Sequence, residues 1–78
     1  MEYKILGILV KGAGKTGENL QDLFSNYGCI IRTRLGLNRD NVQGGVIILD
    51  LHGDDHQIGL FLDDLNKLEG IQYKYINL

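Results

Sequence analysis

Three features of the sequence predict an α+β fold that uses one β-α-β unit twice. A shift of 42 residues lays the chain on itself, with Leu9 on Leu51, Gly17 on Gly59, Leu20 on Leu62, Asp22 on Asp64, Leu23 on Leu65 and Gly28 on Gly70. Each copy runs apolar segment, helical stretch, glycine, apolar segment. The link between the copies is too short for a helix, so the second and third apolar segments form an antiparallel hairpin.

The first strand spans Tyr3 to Val10. A glycine-rich loop, Lys11 to Gly17, follows it. A helix starts near Thr16, a suitable N-cap, with Glu18 in the first turn. Leu20, Leu23, Phe24 and Tyr27 form one buried stripe, and Gly28 ends the helix in the left-handed conformation. Cys29 to Leu37 is the second strand, Asn38 to Gly45 a turn, and Val46 to His52 the third strand. Asp54 and Gln57 have the spacing of a capping box, and Ile58, Phe61, Leu62, Leu65 and Leu68 make the second helical stripe. Gly70 stops that helix, and Ile71 to Leu78 is the last strand. Right-handed crossovers that each skip one strand place the strands in the order 4-1-3-2, with both helices on one face. This is the ferredoxin-like βαββαβ sandwich, expected as a single domain over residues 1–78.

Strand side chains alternate between faces. The odd-numbered set, Ile5, Leu9, Ile31, Leu35, Ile47, Leu49, Leu51, Ile71 and Tyr73, is almost wholly apolar and is expected to face the helices. The even set is also apolar at Leu6, Ile8, Val10, Ile30, Val46, Ile48 and Ile76, with Arg32, Arg34, Asp50, His52 and Lys74 around it. A contiguous apolar surface of several hundred Å2 exceeds what a soluble monomer usually exposes. The expected partner is therefore a second copy, in a homodimer or homotetramer joined through Leu6, Ile8, Val10, Val46 and Ile48.

Bulk properties exclude several roles. Eight basic and ten acidic side chains leave a net charge of −2, which argues against a dedicated nucleic-acid binder. The apolar run Ile5 to Val10 is too short to span a membrane and lacks the layout of a secretion signal. Cys29 is the one cysteine, so no internal disulfide forms, and a reducing, cytoplasmic setting is expected. Its place in the inward set makes it a buried structural thiol.

No set of residues carries a reaction, and no catalytic residue, cofactor or resident metal is expected. Gly12-Ala13-Gly14-Lys15-Thr16-Gly17 matches G-x-G-x-x-G between a strand and a helix. A dinucleotide site needs a parallel sheet, which the hairpin forbids, and an acid near the end of the second strand, where Arg32 and Arg34 stand. A P-loop would need glycine at position 9, which is Leu9. What remains at Gly12, Gly14, Lys15, Thr16 and Gly17 is a turn whose backbone N–H groups, with Lys15, suit a small anion. Asp50 and His52 share a sheet face and could meet a second such pair in a dimer to hold a metal, although a polar strand end before a capped helix is commoner. Arg32, Arg34 and Arg39 form the basic cluster, able to clamp an anion or to meet Asp50 of a partner.

Several segments together resemble a known family: Tyr3-x-x-Leu6-Gly7-Ile8-x-Val10, Tyr27-Gly28-Cys29-Ile30-Ile31-Arg32-Thr33-Arg34-Leu35-Gly36-Leu37, Gly45-Val46-Ile47-Ile48-Leu49 and Leu65-Asn66-x-Leu68-x-Gly70-Ile71. The chain resembles small bacterial regulators of the iron-only hydrogenase system. The resemblance implies an ACT-like variant of the ferredoxin-like fold, similar to the effector domain of nickel-responsive repressors. It also implies a non-enzymatic regulatory module that associates through its sheet. Effectors of ACT-type domains bind at such interfaces, which points to the loop Gly12 to Gly17 with Arg32 and Arg34 nearby. The Asp-x-Pro-Gly loop of amino-acid-binding ACT domains is absent, as is any helix-turn-helix or basic arm. Two rivals stand beside this reading: a small-effector or metal sensor unrelated to hydrogenase, and a small enzyme with its site at a dimer interface.

Overall fold

The computed structural model describes residues 2–11, 15–37 and 45–78. Its elements are β1 (Lys4–Val10), α1 (Thr16–Asn26), β2 (Ile31–Leu37), β3 (Gly45–Leu51), α2 (Asp55–Asn66) and β4 (Ile71–Asn77). The strands lie in the order β2-β3-β1-β4, every neighbouring pair antiparallel. That is the predicted ferredoxin-like arrangement.

Both helices present the expected stripes. Leu20, Leu23 and Phe24 of α1 and Ile58, Phe61 and Leu65 of α2 are buried, with Tyr27, Leu62 and Leu68 packed against them. The rings of Phe24 and Tyr27 lie 6.4 and 5.0 Å from that of Phe61, centroid to centroid. These tilted contacts lock α1 to α2 over the sheet.

The helix ends differ. Asp54 caps α2 as the spacing predicts: its Oδ1 accepts from the Gln57 N–H at 2.8 Å, and Gln57 Oε1 accepts from the Asp54 N–H at 3.2 Å. At α1 the N-cap is Lys15, with no side-chain cap. Thr16 lies inside the helix and turns its hydroxyl to the Glu69 carbonyl, at 3.4 Å, so the expected Thr16 cap does not form. Gly28 is not in the left-handed region either; Gly70 is, at φ +79°. A Cβ at Gly70 would sit 2.9 Å from Thr16 Oγ1, so both φ and space favour glycine there.

The sheet corrects the expected faces. Leu6 and Ile8 are 0% exposed beneath the helices, and Val10 packs against the same core. Ile5 and Leu9 face the other way. The register shows why: Leu6 stands opposite Leu49 and Tyr75, and Ile8 opposite Ile47 and Tyr73. Directly opposed residues share a face, so even residues of β1 join odd residues of β3 and β4. For β3 and β4 the odd set does face inward, as expected.

In β2 a bulge intervenes. Ile31 pairs with Leu51 and Thr33 with Asp50, so Arg32 has no opposite number. One extra residue reverses the alternation beyond it. Ile31 packs inward, but Leu35 points outward and is 53% exposed, while Arg34 turns to the helix side. Cys29 and Ile30 precede β2 in a turn, where Ile30 is buried and accepts from the His52 N–H at 2.7 Å. Cys29 is exposed, so the expected buried thiol is corrected as well.

Candidate interaction face

The sheet surface away from the helices consists of three rows across the strands. Thr33, Asp50, Ile5 and Ile76 form one; Leu35, Ile48, Gly7 and Lys74 the next; Leu37, Val46, Leu9 and Gln72 the third. Leu9, Leu35, Leu37 and Ile76 are all exposed, while Ile5, Val46 and Ile48 are half-buried by their neighbours. Gly7 leaves a shallow hollow at the centre, bordered by Leu9, Val46, Gln72 and Lys74. The predicted apolar open face thus exists, with different members. Val46 and Ile48 belong to it; Leu6, Ile8 and Val10 are replaced by Ile5, Leu9, Leu35 and Leu37.

The other site residues do not converge. Gly12, Gly14 and Arg39 lie outside the described residues. Lys15, Thr16 and Gly17 open α1, past the Val10 end of β1. Arg32 lies at the opposite end, where Ile31, Leu51 and Lys4 are adjacent. A strand of this length separates those ends by about 20 Å. Arg34 is engaged on the helix side: its Nη1 donates to Gln21 Oε1 at 2.8 Å, and its guanidinium lies 4.9 Å from the centre of the Phe24 ring.

Arg32 instead borders a polar recess with Glu2, Tyr3, Lys4, Asp50 and His52. Lys4 Nζ donates to the Gly53 carbonyl at 2.7 Å and lies 3.9 and 3.7 Å from the carboxylates of Glu2 and Asp55. Arg32 and Asp50 make no ion pair among the described residues, and no group of three or more described His, Cys, Asp or Glu could hold a metal ion.

The shifted protonation equilibria lie in a structural contact. The Tyr27 hydroxyl donates to Asp64 Oδ2 at 2.5 Å, tying the end of α1 to α2. This bond raises the tyrosine above its ordinary value, helped by desolvation and by the negative charges of Asp64 and Asp63. The same bond, with one from Lys67 Nζ at 3.3 Å, holds Asp64 below the usual carboxylate range against some desolvation.

Sequence reasoning missed Ile5, Leu9, Leu35 and Leu37 on this face. In β1 both parities are apolar, so alternation cannot choose between them. Gly7 is the one usable signal: the centre of a sheet under two helices rarely holds a residue with no side chain to pack. Nothing in the local sequence announces the bulge at Arg32.

A four-stranded antiparallel sheet of this order, covered on one face by two helices, defines the ferredoxin-like class. The family model TM1266-like, described as "Iron-only hydrogenase system regulator, putative", matches residues 2–75, and the chain belongs to that family. The structure is similar to that of uncharacterized protein TM1266 from Thermotoga maritima, with TM-score 0.89 and 25% identity over 100% of this chain and 99% of that one. It is also similar to CPII from Thiomonas intermedia K12, a nitrogen regulatory PII-like protein, with TM-score 0.64 and 16% identity, covering 100% and 90% of the two chains. A third likeness is to the ACT domain from GTP pyrophosphokinase of Chlorobium tepidum, with TM-score 0.65 and 15% identity, covering 97% of each chain. The last two likenesses show the fold alone. No curated protein matches the chain. Among the described residues, no helix is long and apolar enough to cross a membrane.

Proposed function

We propose that this chain is a non-enzymatic regulatory module of an iron-only hydrogenase system, acting in the cytoplasm as a homodimer or homotetramer built on the open face of its sheet. The observation that carries the reading is the contiguous apolar surface of Ile5, Leu9, Leu35, Leu37, Val46, Ile48 and Ile76 on a member of this family. Fully burying each such side chain contributes roughly 1.5–3 kcal/mol. Several together offset the cost of association, about 4–15 kcal/mol. The non-enzymatic part is supported by the regulator description of the family.

Size-exclusion chromatography with light scattering tests the assembly. A mass of two or four times 8.7 kDa is expected at micromolar concentration, and a clean monomer overturns the oligomer. Removing the chain from a host that makes an iron-only hydrogenase tests the regulatory role. Hydrogenase expression or activity should change severalfold; an unchanged level overturns the link. The rival effector sensor predicts a rise in melting temperature with an amino acid, nucleotide or divalent metal. Such a rise, together with hydrogenase unchanged on removal of the chain, would replace the present reading by a sensor unrelated to hydrogenase; a rise alone would make the regulator a sensory one.

A further inference from the structure

We propose that two copies meet face to face about a two-fold axis that sets Asp50 of each chain against Lys74 of the other and seats Ile48 of each over the hollow at Gly7 of the other. This rests on the homo-oligomeric reading above and names the contacts within it.

The argument begins with charge. Within the three rows, Asp50 and Lys74 are the charged side chains on the open face. Neither is paired there among the described residues: Asp50 makes no ion pair with Arg32 in the adjacent bulge or with His52 at the strand end, and Lys74 makes none. A face that buries its apolar rows against a partner must also meet these two charges. A two-fold interface presents the same patch twice, so every contact occurs in duplicate. Opposite charges on one patch then satisfy each other when the axis passes midway between them.

The register locates that axis. Asp50 stands on β3 opposite Ile5, and Lys74 on β4 opposite Gly7. They are separated by two strands and one row, about 10 Å across the sheet and about 7 Å along it. The midpoint falls on β1 between Ile5 and Gly7, at the centre of the face. A half-turn about an axis there, lying in the plane of the face and perpendicular to the line from Asp50 to Lys74, carries Ile48 to a point between Gly7 and Leu9. This is the hollow bordered by Leu9, Val46, Gln72 and Lys74. A single operation pairs the charges and fills that hollow. The hollow exists because Gly7 has no side chain; a Cβ there would already meet Ile48 Cδ1 of its own chain at 3.7 Å.

Charge reversal tests the pairing. Asp50→Lys and Lys74→Asp, each checked for native circular dichroism, should weaken the dimer about tenfold or more, because each places like charges together twice. The combined Asp50→Lys/Lys74→Asp chain restores the pairs and should return to within about threefold of the parent. Single variants that dimerise like the parent overturn the arrangement while leaving the oligomer intact. A monomeric parent overturns both. Cross-linking serves should a reversal fail to fold. In a Cys29→Ser background, Asp50→Cys and Lys74→Cys chains are made separately, mixed, and treated with a bismaleimide whose span matches the spacing of packed sheets, about 10 Å. The mixture should yield more covalent dimer than either chain alone. Equal yields from the mixture and from the single chains, with dimer present in solution, would reject the axis.

Discussion

The two β-α-β halves match in sequence under one shift and in structure under another. Sequence identity is best at 42 residues, with Leu9 on Leu51. The structure instead lays β1, Lys4–Val10, onto β3, Gly45–Leu51, a shift of 41. Under it Leu6 falls on Ile47, Ile8 on Leu49 and Val10 on Leu51, all directed to the core. Leu20 falls on Phe61 and Phe24 on Leu65, again core upon core. A one-residue slip turns a strand over. A helix tolerates it better, because its apolar stripe spans at least about 100°. The identities between the halves therefore report the helices correctly and the face of β1 wrongly.

The halves also differ in how they are held. The second has a capping box and a left-handed glycine at its turns; among the described residues the first has neither and carries a bulge instead. The first half accordingly leaves β2 exposed along most of its length, whereas β4 packs Ile71, Tyr73 and Tyr75 on the core.

Substitutions on the two faces of β1 should separate most strongly. Leu6→Ala is expected to cost about 2–5 kcal/mol of unfolding free energy, as a large-to-small change at a fully buried site. Leu9→Ala, measured by urea unfolding at dilutions where the chain is monomeric, should stay within about 0.5 kcal/mol. Equal costs would restore the 42-residue alignment of the strands.

The helix-terminal glycines come next. Gly70→Ala forces a side chain into φ +79° against Thr16 and should destabilise by more than about 1 kcal/mol. Gly28→Ala meets only ordinary contacts, Ser25 O at 3.8 Å and Phe24 O at 3.9 Å. It should be neutral or stabilising by up to about 1 kcal/mol, through the unfolded chain. Asp54→Ala should cost about 1 kcal/mol by removing a cap that the first half lacks.

The smallest effect concerns the bridge between the halves, Tyr27 to Asp64. Asp64 is held low in the fold, so its contribution is complete above its unfolded value, near 4, and is lost as pH falls through the lower folded value. Tyr27 is held high, so its contribution is complete below about 10 and is lost as pH rises through the folded value. Tyr27→Phe should move the Asp64 titration, followed by NMR, back toward the ordinary carboxylate. An unmoved titration would leave Lys67 as the cause of the depression.

Much of this was legible in the chain. The stripes of both helices, the Asp54–Gln57 box, the hairpin and the strand order follow from periodicity and spacing, because those signals are local. The existence of an apolar open face was legible too, since too many strand positions are apolar for one core. Its membership was not. β1 is apolar on both faces, and the sheet register assigns Leu6 and not Ile5 to the core. The candidate ligand set spread apart for a related reason: the sheet places Arg32 and Lys15 at opposite ends, and the bulge turns Arg34 toward Phe24.

By itself the sequence determined which residues form helices and strands and that the sheet would be greasy on both sides. Local hydrogen-bond geometry and hydrophobic period are properties of neighbours along the chain. Which side of β1 is covered, and where each arginine points, was decided only when distant strands paired. A pleat has two equivalent faces until an opposing strand selects one.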